Sequence, residues 1–272
     1  MHEINIKWVH KKIGEKTMKN KKTLKFYIAI FIAKCASFTL KLLKRNATYM
    51  PGKIALQLCP DFLGMLEKPE TIIGVTGTNG KTTVCNMIND ILTENKYDFI
   101  NNKYGSNIDG GIATTLIQGS TMLGKAKKKL AVLEIDERSA NKIYPYITPT
   151  YLVCTNLFRD SLMRNAHTEF ICDILNKYIP KETIMIENAD DLICSHVAEQ
   201  NKKIYFSIAK LPTDTDHFEN ITRDIIACPK CNSKIEYEYV RYHHIGKAHC
   251  VNCDYKTPEA CLLYTSPSPR DT

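Results

Sequence analysis

The sequence predicts an α/β fold with a mostly parallel sheet, and three observations predict it. From residue 70 onward, short β-rich apolar runs alternate with longer amphipathic stretches, the pattern of βαβ units. A glycine-rich turn joins the first run to the first amphipathic stretch. Two CxxC pairs further along add a compact metal-binding unit. With 272 residues, 44% of them apolar and 24% charged, the chain can bury one sizeable core with something smaller beside it.

In chain order, residues 1–23 read as a basic extension, with Met18 a candidate internal start. Residues 24–69 read as a helix over 24–44, a Pro51-Gly52 break and a linker. The most apolar stretch, 26–40, is interrupted by Lys34 and flanked by Lys25 and Lys41. It falls short of the roughly 20 residues a bilayer demands, so it is expected to pack on the body or lie along a membrane. Strands are expected at 71–75, 130–135, 150–155, 183–187 and 203–207, and helices at 81–95, 110–118, 168–178 and 189–200. Together they make a nucleotide-binding domain over 70–221, with helices on both sheet faces and ligand sites at the strand C-termini. Residues 222–258 hold the paired cysteines, and 259–272, Ser/Pro-rich and without apolar period, read as an unstructured tail.

Residues 1–53 carry 13 Lys/Arg against 2 Asp/Glu. That surplus exceeds the net +8 of the whole chain, so the body is mildly acidic and the basic character belongs to an N-terminal arm. The arm suits an anionic membrane surface, at about 1 kcal/mol per basic residue, or is simply solvated. An acidic body opposes binding to a phosphate backbone, so no nucleic-acid partner is expected, and the lysines within 125–129 read as a solvated loop. Eleven cysteines without a signal peptide indicate a reducing, cytoplasmic setting.

The strongest chemical signal is Gly74-Val75-Thr76-Gly77-Thr78-Asn79-Gly80-Lys81-Thr82-Thr83. Small residues between an apolar strand and a helix let backbone N–H groups turn toward phosphate oxygens. Gly77, Thr78, Asn79, Gly80, Lys81, Thr82 and Thr83 are the expected ATP-binding residues, with Lys81 on the β/γ-phosphates and the Thr82 hydroxyl on Mg²⁺. Val75 stands where the general pattern has glycine, so the match is to a variant loop. The metal also needs an acid at the end of a neighbouring strand. Glu134, directly after the apolar run at 130–133, is that expected ligand, and Asp136 and Glu137 read as a solvated strand end or helix cap.

Cys228, Cys231, Cys250 and Cys253 form two CxxC knuckles separated by eighteen residues, the donor set of a tetrahedral zinc site. With four thiolates and no open position the Zn²⁺ would be structural, and 234–240 with 242–248 would form a ribbon hairpin. A redox dithiol is the competing reading. His243, His244 and His249 read as surface residues of the hairpin, and Cys35, Cys59, Cys85, Cys154, Cys172 and Cys194 as small core residues.

These residues resemble a known family. Residues 77–83 are similar to the phosphate loop of the Mur ligases and folylpolyglutamate synthetases, and Gly105-Ser106-Asn107 with Gly111-Ile112-Ala113-Thr114 resembles the segment after their first helix. Asn188-Ala189-Asp190-Asp191 looks like their stretch near the adenine, which adds Asn188 to the nucleotide-binding set. Thr155-Asn156-Leu157-Phe158-Arg159-Asp160 and the four-cysteine insert are similar to the MurT family, the synthetase subunits of lipid II isoglutaminyl synthases. The resemblance implies a Mur ligase central domain carrying a four-cysteine zinc ribbon, with the family's C-terminal domain missing here. It implies that ATP activates the D-glutamate carboxylate of the lipid II stem peptide as an acyl phosphate, with Lys81 and Glu134 catalytic, for amidation by ammonia. The ammonia would come from a GatD-like class I glutamine amidotransferase subunit, at the inner face of a bacterial membrane. Ser161 stands where ordinary Mur ligases use a histidine near a second metal.

Two other readings compete. An amino-acid-adding Mur or folate ligase would share the chemistry, but those enzymes lack the ribbon, and the Mur enzymes carry a nucleotide-sugar domain ahead of the loop. A zinc-ribbon NTPase acting on nucleic acid would need a basic body.

Overall fold

The computed structural model describes residues 21–103, 106–158, 168–217, 225, 227–260 and 262–264. Helix α1 (Leu24–Leu42) opens behind Thr23, whose hydroxyl accepts the Phe26 N–H. Its inward face is Phe26, Ala29, Ile30, Ala33 and Ser37, residues three and four apart. Phe26 stacks on Phe62 at a centroid distance of 5.1 Å. Lys34 also turns inward, donating to the carbonyls of Ile117 and Ser120 at 2.7 and 2.8 Å, so it does not interrupt the outward face. Cys35, expected in the core, is instead exposed on α1. The segment expected to be a linker folds as α2 (Met50–Leu58), with Pro51 in its first turn, and α3 (Phe62–Met65).

The remaining strands and helices are β1 (Thr71–Thr76), α4 (Lys81–Glu94), β2 (Phe99–Asn101), α5 (Asp109–Gln118), β3 (Leu130–Glu134), α6 (Ala140–Ile143), β4 (Tyr151–Cys154), α7 (Thr168–Tyr178), β5 (Ile184–Asn188), β6 (Lys203–Ile208), β7 (Ile235–Tyr242), β8 (Ile245–Cys250) and β9 (Leu262–Tyr264). All but β7 and β8 form one seven-stranded sheet in the order β2-β3-β1-β4-β5-β6-β9, and every described pair in it is parallel. Because side chains alternate across a strand, each central strand feeds two cores. Ile72, Leu133, Leu152 and Met185 face the larger one, with α1, α2, α5 and α7, while Val75, Val132, Val153 and Ile186 pack with Cys85 and Ile88 of α4. β1 has β3 on one side and β4 on the other, so its C-terminal end lies where successive crossovers diverge, the place an open α/β sheet offers to ligands.

Three expectations are corrected. Residues 189–200 are not a helix but turns around one 3-10 turn at Cys194–His196. The Asp191 carboxylate accepts the Ile193 and Cys194 N–H groups at 2.9 Å each, holding the backbone in a local turn, and the Asp190 carbonyl accepts from Gly246. The three-residue β2 is absent from the expected strands because it is too short to show a period. Residues 262–264, set aside with the tail, pair in parallel with β6, whose edge would otherwise be unpaired on that side.

Candidate nucleotide site and zinc ribbon

At the end of β1 the chain turns through Gly77, at φ +123°, where a Cβ would lie 2.4 Å from the Thr155 hydroxyl and 2.8 Å from the Asn156 carbonyl. Both the conformation and the close approach require glycine. Gly80, at φ +81°, then aims the chain into α4. No side chain caps that helix and no acid stands in its first turn, so its positive end is available to an anion. Behind it, Thr78 N–H donates to the Asn156 carbonyl (2.8 Å), Asn79 N–H to Asn156 Oδ1 (2.9 Å), and Thr155 Oγ1 to the Asn79 carbonyl (2.7 Å). The loop after β4 is thus the mould in which the phosphate loop is shaped.

The expected metal ligands meet. Thr82 Oγ1 donates to Glu134 Oε2 at 2.9 Å, which matches the cis edge of about 3.0 Å in an octahedron with Mg–O bonds of about 2.1 Å. Two asparagines orient the acid: Asn107 Nδ2 donates to Glu134 Oε1 (3.0 Å), and Asn102 brackets its backbone, accepting from Glu134 N–H (2.8 Å) and donating to its carbonyl (2.9 Å). The oxygen donor set and its spacing fit magnesium.

Lys81 folds back over its own loop, donating to the carbonyls of Gly77 and of Thr78 (3.1 Å), and pairs with Glu137 Oε2 at 3.3 Å. Glu137, expected to be solvated, is 7% exposed, and burial raises its carboxyl above the usual range against the pull of Lys81. Asp136 does cap the following 3-10 turn, accepting the Arg138 N–H. Asn188 has both ends of its amide engaged, donating to the Thr155 carbonyl (3.1 Å) and accepting from Asp190 N–H (3.1 Å), so it braces the mould from behind. Arg159, Asp160 and Ser161, and Gly105, lie outside the described residues.

The four cysteine sulfurs lie within 4.8 Å of one another. Cys228 and Cys253 approach to 3.5 Å and Cys231 and Cys250 to 3.4 Å, close to the edge of about 3.8 Å expected for sulfurs on a tetrahedral zinc. The donor set fits zinc, with β7 and β8 pairing antiparallel between the knuckles.

The ribbon is tied to the sheet by groups that sequence reasoning missed. His244, expected on the surface, is 2% exposed, and its Nε2 lies 3.0 Å from Oδ1 of the fully buried Asp191. Asp190 binds Arg241 NH1 at 2.9 Å and accepts the Ser207 hydroxyl at 2.6 Å. Tyr255 donates to the Leu192 carbonyl at 3.0 Å. The two consecutive acids were visible in the sequence; that both point at a ribbon some fifty residues on was not. Elsewhere Lys128 and Lys129 pair with Asp98 and Glu70, consistent with a solvated loop.

A family model described as the Mur ligase middle domain matches residues 75–253. Lipid II isoglutaminyl synthase (glutamine-hydrolyzing) subunit MurT of Staphylococcus aureus is 33% identical over 237 residues, 86% of this chain and 53% of that protein. The subunit of the same name in Streptococcus pneumoniae is 35% identical over 242 residues, 87% of this chain and 52% of that protein. The chain therefore spans about half the length of the curated relatives it matches. Among solved structures, a pseudomurein peptide ligase type C from Methanothermus fervidus shares the fold, with a TM-score of 0.55 and 24% identity over 76% of this chain and 40% of that one.

Proposed function

The chain belongs to the Mur ligase family, and on that premise we propose that it is the ATP-dependent part of a carbon–nitrogen ligase that amidates the lipid II stem peptide with nitrogen from glutamine. The observation that carries the reading is the contact of Thr82 with Glu134, next to Lys81 in the first turn of α4, in a chain whose relatives at 33–35% identity are named as that synthase's subunit. A carboxylate does not yield to an amine until one oxygen becomes a leaving group. Its oxygen attacks the γ-phosphorus of ATP, the bond to the bridging oxygen breaks, and ADP leaves. Ammonia then attacks the acyl carbon, nitrogen loses a proton, and inorganic phosphate departs. The amides of 77–83 and the Lys81 ammonium would stabilise the charge on the transferring phosphoryl. Thr82 and Glu134 would hold a magnesium ion, whose positive charge would offset that of the nucleotide's phosphates. Asn188 would act on the nucleotide indirectly, through the mould it braces.

The ammonia source in this reading is a GatD-like glutaminase subunit, supported by the printed name of the relatives, which describes a glutamine-hydrolysing synthase made of subunits. Work at the inner face of the membrane is supported by the outward face of α1, whose apolar residues run between lysines. Calorimetry on the purified chain should show Mg-ATP uptake that Lys81→Ala removes, and mass spectrometry after pull-down from a bacterial lysate should find a class I glutaminase. A parent chain that takes up no Mg-ATP, or one indistinguishable from Lys81→Ala, would end this reading.

A further inference from the structure

The ribbon does more than hang from the sheet edge: its hairpin tip reaches the back of the phosphate loop by two short routes. Along the first, His244 at the tip meets Asp191 at 3.0 Å, and the other oxygen of Asp191 accepts the Leu157 N–H at 2.7 Å. Leu157 sits between Asn156 and Phe158, and both of those hold Thr78. The Asn156 carbonyl accepts the Thr78 N–H at 2.8 Å, and Phe158 N–H donates to the Thr78 hydroxyl at 3.0 Å. Along the second, the Phe158 ring packs on the tip itself, with centroids 4.9 Å from His244, 5.6 Å from His243 and 5.7 Å from Tyr242. The segment 156–158 therefore holds the nucleotide loop through Asn156 and Phe158, and is itself held through Asp191 and by the packing of Phe158 on the ribbon tip.

We infer that His244 and Phe158 are positioning residues for nucleotide binding, so that the folded ribbon sets the shape of the phosphate loop. The inference rests on the reading of residues 77–83 as an ATP site. Packed interfaces and fully satisfied buried carboxylates have few alternative arrangements, so a change at the tip is passed on rather than absorbed. Removing His244 leaves Asp191 one partner short in a fully buried position, and removing the Phe158 ring frees the segment that carries both Thr78 contacts.

The test compares four variants in the full chain. Phe158→Ala and His244→Ala should each weaken Mg-ATP binding by about tenfold, in the range of ordinary coupling energies. His244→Gln, which keeps an N–H donor, should recover most of the loss. Tyr255→Phe, which cuts a ribbon contact away from residues 156–158, should lower the melting temperature while leaving nucleotide affinity unchanged. Hydrogen exchange at the Thr78 and Asn79 amides gives a readout that needs no nucleotide: both should exchange faster in Phe158→Ala and His244→Ala than in Tyr255→Phe. That readout stands even if the parent binds no nucleotide, which would count against the proposed function and not against the coupling. Unchanged exchange at both amides in the two alanine variants overturns the inference, as does an equal loss of affinity in Tyr255→Phe.

Discussion

Lys81 and Glu137 show how one pair can serve folding and chemistry at once. In the proposed site the lysine would meet phosphate, and the Glu137 carboxylate beside it is nearly buried and has Lys81 as its cation. Lys81→Ala should therefore cost stability as well as nucleotide binding, by about 3 kcal/mol, because it leaves a buried acid without its counter-charge. Adding Glu137→Gln removes that charge, so the double variant should recover most of the stability and none of the binding. Denaturant midpoints and calorimetry on the two variants check this; a Lys81→Ala protein as stable as the parent would show that the pair does not matter to the fold. Lys81, Thr82 and Glu134 could be found in the sequence because each sits at a fixed offset from a recognisable turn or apolar run. Glu137 could not, since Asp-Glu-Arg after a strand reads as solvated until the lysine above it is placed.

At the scale of elements, the ribbon is the unit whose stability would depend on a metal if its four cysteines hold one. Its own apolar cluster is small, with Leu192, Ala248 and Tyr255 beside the cysteines, so the metal bonds would supply much of its folding energy. A chelator should release about one zinc per chain and open the β7 and β8 amides to hydrogen exchange, while those of β1, β3 and β4 stay protected. Absence of zinc from the purified protein, or a hairpin equally protected without it, would rule out a structural metal. The strands of the central sheet were legible because buried parallel strands are nearly continuous apolar runs. The expected helix at 189–200 failed for a reason of the same scale: Asp190 and Asp191 bind a distant hairpin, and that tertiary demand outweighs local helical pattern.

For the molecule as a whole, the exposed face of α1 bears on where the protein can lie. Leu24, Ile28, Phe31, Phe38 and Leu42 are exposed along one side of α1, Lys34 turns inward, and Lys25, Lys41, Lys44 and Arg45 are exposed at the two ends. Among the described residues, no helix is long and apolar enough to cross a membrane. Lying along an anionic surface would bury that side and place both basic ends at the headgroups. The chain should sediment with vesicles of anionic lipid and not with zwitterionic ones, and Phe31→Glu combined with Phe38→Glu should reduce binding by more than about tenfold. A chain that stays in solution with anionic vesicles contradicts this.

By itself the sequence determined the α/β class, the glycine-rich loop with its strand and helix, and the four-cysteine donor set. Each of these is written in residues that are neighbours in the chain, where spacing and side-chain chemistry dictate geometry directly. Only the tertiary structure decided that Glu137 is buried against Lys81, that Asn156 and Phe158 shape the loop, and that Asp190, Asp191 and His244 join ribbon to sheet. Those contacts link residues some fifty to eighty positions apart. Which of many polar side chains meet over such distances depends on strand order and on what the core excludes from water, and no local pattern encodes it.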